Sequence, residues 1–416
     1  MLGKTDRGGY SEVINMLRFP LAVLVVFIHS FGPDVILEEL HVNDFDGNTF
    51  YNYFRILISV VISRSAVPLF FMISGYLLFF KVKDYSVSVY QSIICKRFYS
   101  LMVPYFVWII IFILWSIAFK IGGILLYGKS WISFFDYFHN NGYWHMFWDC
   151  SVWGERINWL GIKTYKSGPV LLPFWYMRDL ILMVIFSPFI YFLVKKMKMM
   201  LIICSLIIYA FDIRVSWMST TITTAFFFFS FGAYFAIMKR DFLEELWKWK
   251  YMIYLFAFAL MFWQTYTGSS MGDEVSLMIH PWLIFVQSLA IIILASTFCK
   301  YTRIYEFNCR LAKTSFFIYA LHPFILGNII SLLDNNMPLR DSWYMKLFNY
   351  CTAPLLCISI CLAVYWILKK YFPGILTLLV GERKRVGVKK CSYNNKLNTV
   401  LILFDLSVVL GCLIYF

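Results

Sequence analysis

Charged residues are scarce in this chain: only 14 % of its 416 residues are Asp, Glu, Lys or Arg, whereas 61 % are hydrophobic and 21 % are aromatic. The mean hydropathy is +0.70. A chain with so little charge would aggregate in water, so the composition excludes a soluble enzyme or binding module. It predicts an all-α polytopic membrane protein.

Metal-binding patterns are also missing from the sequence. The ten cysteines are scattered, with no Cys-x-x-Cys pair and no Cys/His cluster at metal-ligand spacing. We therefore expect them to be small packing residues, and we expect no metal cofactor. The net charge of +14 comes from basic residues dispersed across the loops between apolar segments. This dispersion favours a membrane-topology signal over nucleic-acid binding.

Ten apolar segments are long enough to be transmembrane helices. They lie near residues 13–32, 55–80, 99–120, 172–193, 199–213, 221–238, 251–267, 281–299, 313–333 and 350–369. The limits of the fifth are the least defined, because it is short. The first carries Arg18 and His29, unlike the purely apolar core of a cleaved signal peptide. We therefore expect it to stay in the mature protein as a membrane helix.

Basic residues alternate between the two sets of loops that these ten segments define. One set, which includes both chain ends, holds 25 of the 37 Lys and Arg residues, and the opposite set holds seven. The positive-inside rule therefore predicts a cytoplasmic N-terminus, with odd-numbered spans running outward. A multi-pass protein of a bacterial inner membrane fits this pattern, with membrane lipids as its surroundings.

The C-terminal end departs from the ten-span pattern. A basic run over residues 382–396 precedes an apolar stretch at 397–416, which contains Asp405. This stretch is long enough for an eleventh span, yet an interfacial position fits equally well. We therefore expect one membrane domain over residues 1–383 and a basic and apolar extension over 384–416.

Arg18 and His29 form the most informative pair, because ionisable residues inside a membrane helix are costly and usually face a cavity or substrate. Their separation of eleven residues is three helical turns plus about 20°. One face of the first helix would then carry both, about 16 Å apart.

Several further polar groups lie in or beside the spans. The second span contains Arg64 and the small pair Ser74 and Gly75, which lets a helix or a ligand approach closely. Lys96 and Arg97 precede the third span at the predicted cytoplasmic edge. They suit an anionic group, although plain topology residues would look identical.

The fourth span contains Arg178 and Asp179, and the ninth contains His322 followed by Pro323. Adjacent helical residues point about 100° apart, so we expect Arg178 and Asp179 not to neutralise each other simply and each to have a partner on another helix. Arg64 lies at a similar depth, which makes Arg64 with Asp179 a plausible structural pair. His322 suits either acceptor orientation or a core hydrogen bond.

Five motifs occur in one order along these spans: RFPLAVLVVFIH, VPLFFMISGYLLF, KRFYSLMVPY, PFWYMRDLILMVIFSP and SFFIYALHPFIL. Together they resemble the acyltransferase-3 family of integral membrane acyltransferases, over about residues 12–383. The resemblance implies a ten-helix enzyme that moves an acyl group, often acetyl, from cytoplasmic acyl-CoA to a hydroxyl of a surface or exported glycan or lipid-linked sugar. The family's arginine and histidine in the first helix match Arg18 and His29.

The chemistry of the residues agrees with this resemblance. A neutral imidazole suits a base near an acceptor hydroxyl, so His29 is expected either to activate that hydroxyl or to receive the acyl group first. Arg18, Lys96 and Arg97 are expected to help bind the donor, together with Ser74 of the second span. Arg64, Arg178, Asp179 and His322 are expected to support the acceptor or the fold.

Two other classes share some of these features. A secondary transporter also has intramembrane charges, but it favours interrupted helices at corresponding positions of two halves, and no such symmetry is visible. A glycan flippase or polymerase also fits a basic inner side, but it does not require the spacing of Arg18 and His29. Acyl transfer in purified membranes separates the classes.

Overall fold

The computed structural model describes residues 9–30, 47–128, 131, 138–139, 142–157, 161–213, 219–267, 274–337 and 342–381. Most of these residues are helical. The α-helices are α1 (Tyr10–Ile28), α2 (Gly47–Arg55), α3 (Ala66–Phe79), α4 (Val87–Arg97), α5 (Val103–Tyr127), α6 (Trp175–Ile185), α7 (Ser187–Met197), α8 (Met199–Ala210), α9 (Thr220–Met238), α10 (Phe242–Lys248), α11 (Lys250–Tyr266), α12 (Glu274–Phe298), α13 (Thr302–Leu311), α14 (Ser315–Asn336), α15 (Trp343–Tyr371) and α16 (Pro373–Val380).

Short irregular helices join several of these elements. Two are π-helical segments, at Ile56–Ile62 and Phe98–Met102. The others are 3₁₀ turns at Ser63–Ser65, His145–Phe147, Leu172–Phe174 and Ala312–Thr314. The segment Ile56–Ile62 is rich in β-branched side chains, which are less favourable in a regular α-helix than unbranched ones. Such π-helical insertions are frequent at functional sites.

A β-hairpin corrects the expectation of an all-α fold. Strands β1 (Ser151–Ile157) and β2 (Lys163–Gly168) pair antiparallel, with Ser151 opposite Gly168, and an irregularity interrupts their register between Trp153 and Arg156. A two-stranded hairpin is marginally stable alone. Strand β2 packs against α6 and α9, which provide that support.

Within the described residues, seven helical stretches are long and apolar enough to cross a membrane, and an eighth is added when the bent pair of α6 and α7 is counted as one span. The protein is therefore an integral membrane protein, but the predicted number of ten spans is not confirmed. The fourth predicted span is broken by a bend of 66°, and Pro188 lies in the first turn of α7 after the bend. The fifth is the 12-residue helix α8, and the seventh is the 17-residue helix α11.

The chain divides into two compact units. The first comprises residues 1–73 and 239–367, and the second comprises residues 74–238 and 368–416. In the first unit, α1 packs against α12, α13 and α14, and against both irregular segments that precede α3. A buried apolar cluster joins α1 to α14 and α15, through Val26, Ile318 and Cys357 among others.

Helix α9 of the second unit is mostly buried and packs against α6, α7, α8 and β2. Helix α16 packs on α5, where the Trp108 indole donates to the Leu379 carbonyl at 2.9 Å. Gly381 ends α16 in a left-handed conformation, with φ of 66°. The predicted extension over residues 384–416, with its candidate eleventh span, lies outside the described residues.

Candidate active site

Helix α1 carries the two residues that the sequence singled out first. The helix is continuous from Tyr10 to Ile28, and His29 follows as its C-cap with a helical backbone conformation. Pro20 lies between Arg18 and His29 without ending the helix. The predicted separation of about 16 Å along the axis is therefore kept. Arg18 is half-buried, whereas the His29 side chain is exposed.

His322 lies directly beside His29. It belongs to α14, which packs against α1, and the two ring centroids are 5.2 Å apart. In contrast to His29, His322 is completely buried. The sequence identified both histidines but did not predict that they meet.

The hydrogen bonds of His322 define which nitrogen carries the proton in its neutral ring. Nδ1 lies 3.2 Å from the carbonyl oxygen of Ile318. Because a carbonyl oxygen only accepts, Nδ1 must donate, which leaves Nε2 with a lone pair. Nε2 is buried and has no hydrogen-bond partner among the described residues. The site therefore contains a buried acceptor that a substrate or a neighbouring N–H can fill.

Arg64 also belongs to this group of residues. It lies in the turn Ser63–Ser65, which packs against α1. The first unit thus brings together three of the predicted residues: His29, Arg64 and His322. Arg18 lies in the same unit, about three turns away along α1.

Three polar residues near α1 were missed by the sequence analysis. Ser59 donates a hydrogen bond to the carbonyl oxygen of Phe27, and the hydroxyl groups of Ser59 and Tyr350 are 2.7 Å apart. Gln287 donates from Nε2 to the Ile62 carbonyl at 3.4 Å, and its buried Oε1 has no partner within the described part of the chain. A serine in an apolar run and one tyrosine of 28 carry no local signal of such contacts.

Arg178 and Asp179 contradict one prediction, because they do neutralise each other. The Nε and Nη2 atoms of Arg178 each lie 2.8 Å from Oδ1 of Asp179, and both side chains are almost completely buried. Arg178 therefore balances the charge of Asp179 within the second unit. The expected pairing of Arg64 with Asp179 is not needed for that purpose.

The expectation that Arg178 also has partners outside its own helix is confirmed. Its guanidinium donates to the Trp148 carbonyl at 2.9 Å, to Ser167 Oγ at 3.2 Å and to Thr221 Oγ1 at 3.0 Å. The guanidinium also lies 5.6 Å from the centroid of the Trp148 ring. Arg178 thus connects α6 with β2, with the N-terminal turn of α9 and with the segment before the hairpin.

Ser74 and Gly75 lie where α3 meets α9. A Cβ atom added to Gly75 would be 2.0 Å from the backbone oxygen of Phe229, so only glycine allows this approach. Gly75 therefore has a packing role. The neighbouring Ser74 is half-buried.

Lys96 and Arg97 lie in the last turn of α4. Lys96 is exposed and Arg97 is half-buried. Arg97 lines a shallow, open groove whose other walls are apolar side chains of α4, of the π-helical segment after it and of α6.

The match to a protein-family model agrees with the sequence motifs. A model described as an acyltransferase domain covers residues 12–369, which is nearly the whole chain. The chain belongs to the acyltransferase-3 family. The resemblance found in the five motifs is thereby confirmed. Neither the comparison with curated proteins nor that with solved structures gives a match.

This membrane acyltransferase has no group of three or more His, Cys, Asp or Glu side chains suited to a metal ion within the described ranges. The cysteines described are free thiols. Two groups of ionisable side chains stand out in the described part of the acyltransferase. One is the histidine pair with Arg64 in the first unit, and the other is the buried ion pair of Arg178 and Asp179 in the second.

Proposed function

We propose that this acyltransferase transfers an acyl group, acetyl in particular, from cytoplasmic acyl-CoA to a hydroxyl of a surface or exported glycan or lipid-linked sugar. The observation that carries the proposal is the contact between the exposed His29 ring and the buried His322 ring. An imidazole that is open to substrate on one side and held by protein on the other has the arrangement of a catalytic base.

In the direct route, His29 accepts the proton of the acceptor hydroxyl while the hydroxyl oxygen attacks the thioester carbon. A C–O bond forms, the C–S bond breaks, and the imidazolium returns the proton to the CoA thiolate. In the covalent route, a His29 nitrogen attacks the thioester carbon, the C–S bond breaks and the CoA thiolate leaves. The acceptor hydroxyl oxygen then attacks the acyl carbon, the C–N bond to the imidazole breaks, and the hydroxyl proton goes to the thiolate. Both routes use the same ring and give the same products.

His322 supports either route through its lone pair on Nε2. A hydrogen bond from a His29 ring N–H to this atom would orient His29 and leave its second nitrogen free to react, as a carboxylate does for a catalytic histidine. The acceptor hydroxyl is the other donor that fits.

Donor binding is assigned to basic residues that suit the phosphates of CoA. Lys96 and Arg97 lie in the last turn of α4, at the cytoplasmic edge that the loop charges predict, where phosphate groups can approach them from water. The same sequence-based topology predicts Arg18 in the cytoplasmic half of its span. Ser74 is kept as a donor-side residue, because a hydroxyl beside a tightly packed glycine can contact a ligand.

Substitution of His29 tests the proposed function. We expect His29→Ala to lower labelled acetyl transfer in purified membranes at least 100-fold, because a base or nucleophile contributes two to four orders of magnitude in rate. The matched control is His145→Ala, whose exposed ring lies in the segment before the hairpin and bonds to Asp149. Near-normal transfer by a correctly inserted His29→Ala enzyme would refute the proposal.

A further inference from the structure

Ser59 and Tyr350 hold the end of α1 from which His29 extends. We propose that these two residues are positioning residues for His29: Tyr350 orients the Ser59 hydroxyl, and Ser59 fixes the last turn of α1. This inference rests on the proposed catalytic role of His29. It adds two residues, neither of which touches the reacting groups.

The contact of Ser59 is with a backbone carbonyl in the last turn of α1. The last carbonyls of a helix have no N–H four residues ahead in the helix to accept from, and the Phe27 carbonyl accepts instead from the Ser30 N–H in a turn, at 3.2 Å. A carbonyl oxygen has a second lone pair, which the Ser59 hydroxyl uses. Phe27 is in the last turn of α1, two residues before His29, and its carbonyl oxygen accepts the Ser59 hydroxyl proton. Ser59 is 1 % exposed, so water does not compete for this bond.

The direction of the second bond follows from the number of protons. Ser59 has one hydroxyl proton, which it donates in the hydrogen bond to the Phe27 carbonyl. Tyr350 must therefore donate to Ser59 Oγ across their 2.7 Å separation. The Tyr350 ring is held in place by aromatic neighbours: its centroid is 6.0 Å from that of Phe27, 6.2 Å from that of Phe54 and 6.4 Å from that of Tyr51. A fixed ring thus orients the serine, and the serine fixes the helix end.

Because the last turn of α1 is fixed, the backbone of His29 also limits the direction of its side chain. His29 has φ of −90° and ψ of −1°, so its side chain leaves the helix end in a direction set by the preceding turn. The ring must stay 5.2 Å from that of His322 to keep the proposed geometry. Displacement of a reacting group by about 1 Å can cost a factor of 100 in rate. Loss of the Ser59 bond is therefore expected to affect turnover more than binding.

A double-mutant cycle tests the proposal. We expect Ser59→Ala to lower kcat about 10- to 100-fold per inserted enzyme, with the donor KM changed less than about twofold. Tyr350→Phe should lower kcat about 3- to 10-fold, because Ser59 keeps its bond to Phe27 but loses its orientation. Because Tyr350 acts through Ser59, the double variant should be no slower than Ser59→Ala alone.

Two buried hydroxyl groups of the same unit provide matched controls. Ser296 is 1 % exposed and donates only within its own helix, to the Ile293 carbonyl at 2.8 Å. Tyr365 is 4 % exposed and lies on α15, as does Tyr350. Ser296→Ala and Tyr365→Phe should therefore keep kcat within about twofold of the parent enzyme.

Each outcome decides the inference. A parental kcat in Ser59→Ala, or losses that multiply in the double variant, would overturn it. If Ser59→Ala does not insert, Tyr350→Phe decides: lowered kcat with an unchanged donor KM supports positioning, and parental kcat refutes it. His29→Ala in the same preparations separates the two proposals. Activity of that variant defeats the proposed function, whereas its inactivity beside a fully active Ser59→Ala defeats the positioning role alone.

Discussion

The ion pair of Arg178 and Asp179 shows how neighbours on one helix meet although their Cβ atoms point about 100° apart. The arginine side chain is long enough to reach around the helix, and its Nε and Nη2 atoms both contact Oδ1 of Asp179. Its remaining donors bind Trp148, Ser167 and Thr221. One guanidinium therefore neutralises a buried acid and holds three other segments.

Loss of this guanidinium is expected to be strongly destabilising. Arg178→Met leaves a buried carboxylate unpaired, which costs about 3–5 kcal/mol, and Arg178→Met/Asp179→Leu should recover part of that loss because no charge remains. Thermal unfolding in detergent measures both. Arg310→Met is the control, because Arg310 and Glu306 form a pair with side chains 79 % and 58 % exposed, which is expected to contribute less than about 1 kcal/mol. Equal losses in Arg178→Met and Arg310→Met would contradict this interpretation.

Cys150 gives a pH-dependent signal from the segment before the hairpin. Burial raises the pKa of its thiol to about 11, and its contact with Ser151 offsets only part of that effect. Since the thiolate is the reactive form, maleimide labelling should be slow at neutral pH and should rise about tenfold per pH unit up to about pH 11. Mass spectrometry of the Cys150 peptide measures the rate. A plateau near pH 9, as for glutathione in the same reaction, would show that the thiol is not shielded.

At the scale of elements, the pattern of apolar residues predicted where helices lie, but not where they bend or depart from regular α-helical geometry. Pro188 marks the bend between α6 and α7, because proline cannot donate the backbone hydrogen bond that continues a helix. The hairpin at 151–168 was not predicted, because its strands lie in a long loop where no sustained alternation is visible. The π-helical turns were not predicted either, since their apolar residues also fit a regular helix.

The contacts of the candidate site depend on packing between distant segments. His29, Arg64 and His322 could each be chosen from sequence, because ionisable residues in apolar spans stand out. Their proximity could not, since it depends on how α1 packs against α14 and the turn before α3. Ser59 and Tyr350 could not be chosen at all: their importance arises from the 2.7 Å contact between residues 291 positions apart.

The end of α4 supplies a prediction about the donor. Lys96→Gln/Arg97→Gln should raise the apparent donor KM about tenfold at low salt, and the effect should shrink at high salt, because exposed phosphate contacts are already screened there. Arg18→Gln should also weaken donor use, with less dependence on salt, because Arg18 is half-buried.

A matched pair of lysines controls this experiment. Lys195 and Lys196 occupy the last turn of α7, as Lys96 and Arg97 occupy that of α4. Lys195→Gln/Lys196→Gln should leave the donor KM unchanged. An unchanged donor KM in the Lys96/Arg97 variant, measured at low salt with saturating acceptor, would leave those residues as ordinary topology charges.

For the whole molecule, the order of the apolar segments and the family were correctly predicted, but the number of spans was not confirmed. Composition alone gives a membrane protein, and seven predicted spans coincide with long apolar helices. Helices α8 and α11 are too short for the same test, so apolar character along the sequence does not fix the length of the helix that forms.

Sidedness is tested with fusions at two helix ends of this molecule. A reporter placed after Thr267, which follows α11, should be found outside, and one placed after Tyr305, in α13, should be found in the cytoplasm. Activity of a periplasmic or cytoplasmic reporter enzyme measures each. Reversal of either result would place Lys96 and Arg97 on the side away from cytoplasmic acyl-CoA.

Helix α8 of the second unit bears on the lipids that surround it. At 1.5 Å per residue, it extends about 18 Å, against a hydrocarbon thickness of about 30 Å. This hydrophobic mismatch is relieved when the adjacent leaflets thin, at a cost that grows with the length of the lipid chains. Bilayer thickness therefore acts directly on this part of the enzyme. Lipids with shorter acyl chains surround it at a lower free-energy cost than lipids with longer chains.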